Sequence, residues 1–169
     1  MTNEGPLCTY RLRTIRPADH DRLRRFYSGL SEESRVARFL GAAPSIPDET
    51  MAHFCGPDHG HREGIVAATA DGTVVGHVCI EPMDAHQAEF AVAVADGWQR
   101  RGIGRAMCLA AIGWAQRHGI TQLTATMWSR NGAVIGLIRS LGLPTSFSVS
   151  GSGVVSVRID VRHAGLRAA

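Results

Sequence analysis

The segment Gln99-Arg100-Arg101-Gly102-Ile103-Gly104-Arg105-Ala106 follows an apolar, strand-like run over residues 90–95 and leads directly into a helical pattern. Glycine has no Cβ, so Gly102 and Gly104 allow the backbone to approach a ligand closely. The first N–H groups of a helix lack intrahelical acceptors, and together with the positive end of the helix dipole they can receive a pyrophosphate. The segment therefore predicts a binding site for a phosphorylated ligand.

Two other kinds of phosphate-binding loop do not match this segment. A P-loop of the form G-x-x-x-x-G-K-[ST] needs a lysine, and the chain contains none. A dinucleotide fingerprint needs a third glycine three residues after Gly104, where Met107 stands. The alternative to an anion site is a helix start that binds nothing, and the arginines of the loop argue against it.

The chain after this loop alternates between helix and strand patterns. Apolar residues at three- and four-residue spacing predict a helix that begins at Ile103 and ends at Gly119. Residues 122–128 predict a strand, and residues 131–141 predict a second amphipathic helix closed by Gly142. The expected succession is strand, helix, strand, helix.

The N-terminal half predicts further strands and helices. Residues 10–15 alternate as a strand, residues 19–27 predict a helix, and Ser31 is the expected N-cap of another helix. Residues 65–70 and 74–80 predict a β-hairpin around Asp71-Gly72. Together with the later elements, these patterns indicate an α/β protein.

Length and composition favour one globular domain over residues 1–169, because a chain of 169 residues can bury a core without metals or disulfides. The formal net charge of +3 at pH 7 comes from arginines spread along the chain, so no nucleic-acid partner is expected. The longest apolar run, residues 106–115, is too short to span a bilayer, and the N-terminus lacks a signal-peptide pattern. These features predict a cytoplasmic protein without a membrane partner.

The cysteines and histidines do not predict a metal site. Cys8, Cys55, Cys79 and Cys108 lack C-x-x-C spacing and are expected to be free thiols in a reducing compartment, mostly buried. His53, Cys55, His59 and His61 cluster in the sequence, but in a Gly/Pro-rich stretch without known ligand spacing. We expect this stretch to be a solvated loop, with no bound metal.

The segment of residues 99–106, called the glycine loop from here on, resembles the Q/R-x-x-G-x-G/A acyl-CoA loop of the GCN5-related N-acetyltransferases, the GNAT family. The resemblance implies the GNAT acetyltransferase fold, in which helices flank a mixed central sheet with two splayed parallel strands. It also implies acetyl-CoA as cosubstrate, with its pantetheine arm pairing to the first of these strands like an added strand. The implied cofactor-binding residues are Val92, Val94, Gln99, Arg100, Arg101, Gly102, Ile103, Gly104, Arg105 and Asn131.

A second segment, residues 131–143, is similar to the family pattern N-x-x-A/M-x-x-L-Y-x-x-x-G-F. In the family the asparagine, here Asn131, lies near the pantetheine, and the tyrosine often protonates the leaving thiolate. This chain has Ile138 at the tyrosine position, and isoleucine cannot donate a proton. We expect Ile138 to be a core residue, so the thiolate would take a proton from solvent or another group, or leave as the anion.

A third resemblance concerns residues 30–39, Leu-Ser-Glu-Glu-Ser-Arg-Val-Ala-Arg-Phe, which are similar to the R-L-S-P-E-S-R-x-x-R-F segment of bacterial Pat-type protein lysine acetyltransferases. Those enzymes place a glutamate near the start of the cofactor strand, which corresponds here to Glu89. An acceptor ammonium must lose its proton before its nitrogen attacks, so the reaction needs a base. Glu89 is the expected catalytic base, with His86 and Glu81 in reserve; the alternative is a strand-end carboxylate that faces water.

The resemblances together predict an acetyl-CoA-dependent N-acetyltransferase that acts on a primary amine, with a protein lysine as the expected acceptor. One alternative is an enzyme that acetylates a small-molecule amine. Another is a non-catalytic acyl-CoA-binding sensor, which the absence of a tyrosine at position 138 keeps open. A homodimer is also left open.

Overall fold

One mixed sheet of seven strands organises the structure. The computed structural model describes residues 9–41, 45–151 and 153–162. The strands are β1 (Tyr10–Thr14), β2 (Glu63–Thr69), β3 (Val74–Pro82), β4 (Gln87–Val94), β5 (Gln122–Trp128), β6 (Thr145–Ser150) and β7 (Val154–Asp160). Their order across the sheet is β1-β2-β3-β4-β5-β7-β6.

Helices pack against both faces of this sheet. Short 3-10 turns lie at Pro17–Asp19, directly before the first helix, and at Asp96–Trp98, before the glycine loop. The helices are α1 (His20–Ser28), α2 (Glu32–Phe39), α3 (Asp48–Cys55), α4 (Ile103–Arg117) and α5 (Gly132–Ser140). The predicted succession of strand, helix, strand and helix corresponds to β4, α4, β5 and α5.

The parallel strands β4 and β5 pair only where they begin. Gln87, Ala88 and Glu89 lie opposite Gln122, Leu123 and Thr124, and the two strands then separate. All other paired strands of the sheet are antiparallel. The expected mixed sheet with splayed parallel strands is therefore confirmed.

The core lies on both sides of β3 and β4. On one side α4 buries Ile103 and Met107 against Phe90. A Cβ at Gly76 on β3 would lie 2.7 Å from the Met107 sulfur, so the glycine allows α4 to pack this closely to the sheet. On the other side α1 and α3 contribute a second buried cluster that includes Leu23 and Met51. The two clusters hold the N-terminal end of α4 at the end of β4.

The prediction of a solvated loop around His53 and Cys55 is wrong, because both residues lie on α3 and Cys55 is buried. The helix begins after Pro47, with Asp48 and Glu49 in its first turn, where negative charge complements the helix dipole. These helix-start signals were present in the sequence. His59 and His61 do lie in the connection to β2.

The thiols expected to be buried and free include Cys55, Cys79 and Cys108, and the structure confirms this for all three. Cys8 lies outside the described residues. Within residues 9–41, 45–151 and 153–162, no three histidine, cysteine or acidic side chains are grouped so that they could hold a metal. No helix in the same part of the chain has the length and apolar character needed to cross a bilayer.

Candidate active site

The gap between β4 and β5 exposes one edge of β4. The N–H of Ala95 donates to the Val75 carbonyl on β3 at 2.9 Å. Because main-chain groups alternate between the two edges of a strand, the N–H and C=O groups of Val92 and Val94 point towards the gap. This edge of β4 has the geometry to pair with an extended ligand arm, and the binding of such an arm at Val92 and Val94 stays a prediction.

The glycine loop forms the tight entry to α4. Gly102 is the N-cap of the helix in the left-handed conformation, with φ of +80°, and Arg100 has φ of +62°. Gly102 offers no side chain to cap the first turn, so the N–H groups from Ile103 to Arg105 remain available to a ligand. The loop thus has the geometry of an anion site at a helix N-terminus.

The arginines of the loop surround this helix start. The Arg101 guanidinium lies 5.1 Å from the centre of the Trp98 ring, and Arg105 Nε donates to the Ser140 carbonyl at 3.4 Å. Arg100, Arg101 and Arg105 are all exposed. Positive charge near the N–H groups strengthens the attraction for a phosphate.

Gly104 also serves the packing between α4 and α5. A Cβ at this position would lie 3.3 Å from Leu137 Cδ2 on α5. The glycine therefore brings the first turn of α4 close to α5 as well as leaving room for a ligand.

Asp96 links the glycine loop to the beginning of α2. Its carboxylate accepts hydrogen bonds from the Ser31 N–H at 2.9 Å, the Ser31 hydroxyl at 2.8 Å and the Ser34 hydroxyl at 2.7 Å. Gln99 Nε2 lies 3.4 Å from the Ser34 hydroxyl and donates to the Val94 carbonyl at 3.1 Å. No local pattern in the sequence marks Asp96, because the contact joins segments that are distant along the chain.

Glu89 lies where the parallel strands separate. It is opposite Glu81 on β3 and Thr124 on β5, and its side chain is exposed. No hydrogen bond or ion pair within the described residues engages the Glu89 carboxylate. The Arg38 guanidinium is close enough for electrostatic attraction. The carboxylate is therefore free to accept a proton.

The two reserve bases are differently placed. Glu81 Oε1 lies 2.7 Å from His53 Nε2, and the His53 ring also contacts Arg62. His86 is exposed, with Nδ1 3.4 Å from the Gly119 carbonyl. Glu89 is thus the one of these three side chains without a hydrogen-bond partner among the residues that the structure describes.

A buried polar cluster lies beside Glu89, under α1 and α2. Arg38 Nη2 is 3.1 Å from Cys79 Sγ, and the Tyr27 hydroxyl is 2.8 Å from His77 Nδ1. Burial, helped by the nearby Arg38, lowers the pKa of His77 to about 3, so the ring is neutral at physiological pH. His77 is also completely buried, so an acceptor amine cannot reach its ring.

Asn131 and Ile138, which occupy the asparagine and tyrosine positions of the family pattern, have structural roles at α5. The Asn131 side-chain oxygen accepts from the Val134 N–H at 3.2 Å and caps the helix. Ile138 is 1% exposed and belongs to the core, as expected, so the structure offers no proton donor at the tyrosine position.

The comparisons with known proteins agree with this geometry. The model of the acetyltransferase (GNAT) family matches residues 19–143. The chain is 30% identical over 139 residues to the acetyltransferase PA5475 of Pseudomonas aeruginosa, covering 78% of this chain and 73% of that protein.

Solved structures show the same architecture. The GNAT domain of S. lividans PAT superposes with a TM-score of 0.83 at 27% identity, covering 89% of this chain and 90% of that one. A phosphinothricin acetyltransferase from Sinorhizobium meliloti in complex with AcCoA gives a TM-score of 0.71 at 20% identity, with coverage of 90% and 88%. The second likeness concerns the fold alone.

Proposed function

The chain belongs to the acetyltransferase (GNAT) family, and from that premise we propose that it transfers the acetyl group of acetyl-CoA to the side-chain amine of a protein lysine. Acetyl-CoA supplies the acetyl group as an activated thioester. The open edge of β4 and the uncapped start of α4 fit the two parts of such a ligand, an extended arm and a pyrophosphate.

Specific residues would hold the cosubstrate. The main chain of Val92 and Val94 would pair with the pantetheine arm. The backbone of residues 101–105 would bind the pyrophosphate, with Gln99 and the arginines of the loop beside it, and Asn131 at the other wall of the gap. Of these, Val94 already uses its carbonyl to accept from Gln99, so we expect that contact to be exchanged on binding.

Glu89 would accept the proton of the acceptor ammonium. The observation that supports this assignment is that the Glu89 carboxylate, where β4 and β5 separate, has no hydrogen-bond partner among the described residues. The neighbouring Glu81 carboxylate, by contrast, is bonded to His53. A base must have an accessible lone pair within reach of the proton that it removes. Ile138 cannot supply a proton to the departing sulfur, so we expect the thiolate to leave as the anion or to be protonated by solvent.

The exposure of the site supports a protein acceptor. Glu89, Thr126 and Arg158 are exposed on the same side of the sheet, so a side chain projecting from a folded partner can approach Glu89. The free thiols Cys55, Cys79 and Cys108 are compatible with the proposed cytoplasmic location.

Labelling of a host lysate tests the proposal. Enzyme and isotopically labelled acetyl-CoA are incubated with the lysate, and acetyl-lysine is mapped by mass spectrometry. The enzyme contains no lysine, so every labelled lysine belongs to another protein. We expect enzyme-dependent labelling of a limited set of proteins that is lost with Glu89→Gln. Rapid CoA release with small amines, without protein labelling, would favour a small-molecule acetyltransferase instead.

A further inference from the structure

Glu89 belongs to a row of side chains that crosses one face of the sheet. In this row Glu89 is opposite Thr124, and Thr124 is opposite Arg158 on β7. Neighbouring strands are about 4.8 Å apart, so the backbones at Glu89 and Arg158 are separated by about 10 Å. The complete row from β3 to β6 is Glu81, Glu89, Thr124, Arg158 and Ser146.

Arg158 carries an unneutralised positive charge. Its side chain is exposed, and it makes no hydrogen bond or ion pair with any residue that the structure describes. Its neighbours in the row, Thr124 and Ser146, are uncharged. The other charged residue on this face of β7, Asp160, is paired with Arg162 at 3.0 and 3.1 Å.

The next row on the same face beyond β4 carries only hydroxyl groups. Thr126, Ser156 and Ser148 form this row, and none of them can balance a guanidinium. On the opposite side of Glu89, the Arg38 guanidinium donates a hydrogen bond to Cys79 Sγ. It also lies over the faces of the Phe39 and Phe54 rings. In the row of Glu89, Glu81 is bonded to His53, so the charged groups without a hydrogen-bond partner among the described residues are the Glu89 carboxylate and the Arg158 guanidinium.

We propose that Arg158 is a specificity-determining residue that binds a carboxylate on the acceptor, and that the preferred acceptor is a lysine flanked by acidic residues. The inference rests on the proposed function. Residues of an extended chain advance by about 3.3–3.6 Å, so an acidic side chain one or two positions from the lysine falls within the span between Glu89 and Arg158. Glu89 receives the ammonium while Arg158 fixes the register of the peptide.

Matched peptides test this inference. Three peptides share one central lysine and differ only in the flanking residues, which are Glu, Gln or Arg. For the wild-type enzyme we expect kcat/KM to be about tenfold higher with Glu than with Gln flanks, mainly through KM, as for a partly exposed charge-assisted hydrogen bond. The Arg-flanked peptide should be the poorest substrate.

Two variants of Arg158 and one control complete the experiment. Arg158→Gln should abolish the preference for Glu over Gln flanks, and Arg158→Glu should reverse it, while the affinity for CoA stays unchanged. Arg11→Glu places the same change on an exposed residue of β1 and should retain the wild-type preference. Thermal unfolding verifies that each variant is folded.

Each possible result decides between the hypotheses. Equal use of the three peptides by the wild type, or the same Glu preference in Arg158→Gln and Arg158→Glu, would overturn the role of Arg158 and leave the proposed function intact. If the wild type acetylates none of the peptides but releases CoA with small amines, the proposed protein acceptor fails, and the inference fails with it.

Discussion

Glu81 and Glu89 lie directly opposite each other on β3 and β4, and of the two carboxylates only Glu81 is bonded to a described neighbour, His53. Two like charges in such a cross-strand pair are unfavourable unless one of them is compensated. The hydrogen bond to His53 supplies that compensation at Glu81. The arrangement leaves the Glu89 carboxylate open to the solvent and to an acceptor amine.

The first prediction concerns the base. Glu89→Gln keeps the shape of the side chain but removes its ability to take a proton, so we expect kcat to fall by roughly 10² to 10⁴. The affinity for CoA, measured by calorimetry, should not change. Glu81→Gln is the matched variant on the neighbouring strand, and we expect a smaller effect because Glu81 is engaged by His53.

An unchanged kcat in Glu89→Gln would contradict the assignment. The role would then move to Glu81, His86 or bulk water, and the pH–rate profiles of Glu81→Gln and His86→Asn would distinguish these possibilities.

The second prediction concerns the pyrophosphate loop. Gly104→Glu places a negative charge in the first turn of α4, so we expect the affinity for CoA to fall at least about tenfold, as for the loss of one charge-assisted contact. Gly104→Ala tests the effect of added bulk without the negative charge. Its Cβ would lie 3.3 Å from Leu137 Cδ2, the far end of a flexible side chain.

Gly60→Glu is the control for the added charge, since Gly60 is exposed in the connection between α3 and β2 and the nearest atom to a Cβ there would be the Asp58 carbonyl oxygen, at 4.0 Å. Wild-type CoA affinity in a folded Gly104→Glu protein would show that the pyrophosphate binds elsewhere.

The local elements around the glycine loop could be predicted from the sequence because their signals are local. The helix after Gly102 begins at Ile103, and the strand predicted over residues 122–128 is β5, from Gln122 to Trp128. Apolar spacing, a glycine at the helix start and a glycine after its end are each contained within a few residues. Glu89 is proposed on a different ground, the resemblance to Pat-type enzymes, which place a glutamate near the start of the cofactor strand.

The contacts that complete the candidate site could not be predicted in this way. Asp96 meets Ser31 across 65 positions of the chain, and Arg158 reaches the row of Glu89 only through the pairing of β7 with β5. Strand register depends on tertiary packing, and no local pattern encodes which strands become neighbours. The strands β6 and β7 were not predicted, so the place of Arg158 in the sheet could not be predicted from the sequence alone.

The third prediction uses the buried carboxylate of Asp19. This side chain is 2% exposed and accepts two hydrogen bonds from Arg13, at 2.6 and 2.8 Å. The Arg13 hydrogen bond lowers the pKa of Asp19 below its value in the unfolded chain. The resulting stabilisation is fully present above the unfolded pKa, about 3.9, and is lost as the pH falls through the lower folded pKa.

We therefore expect Asp19→Asn to lower the free energy of unfolding by about 3 kcal/mol at pH 7, and by much less near pH 2. Urea denaturation at both pH values measures the difference. Asp21→Asn alters an exposed carboxylate two residues away, in the first turn of α1, and should change stability by less than about 0.5 kcal/mol. A cost for Asp19→Asn that does not depend on pH would contradict the ionised pair.

The last prediction concerns Asp96, which joins the start of α2 to the turn before the glycine loop. Its carboxylate accepts from Ser31 and Ser34, and the Ser31 hydroxyl in turn accepts from the Ser34 N–H at 3.1 Å as the N-cap of α2. Asp96→Ala removes this acceptor, so we expect the free energy of unfolding to fall by about 1–3 kcal/mol.

The same substitution removes the contact that joins the glycine loop to α2, so KM for the acceptor and Kd for CoA should both rise. Hydrogen exchange should become faster in α2. Asp84→Ala is the control, since the Asp84 carboxylate is also exposed and also accepts several hydrogen bonds, among them those of the His86 and Gln87 N–H groups, but in the turn before β4. If α2 exchanges at the same rate in Asp96→Ala as in the wild type, Asp96 does not hold the helix against the loop, and the two walls of the candidate site are positioned independently.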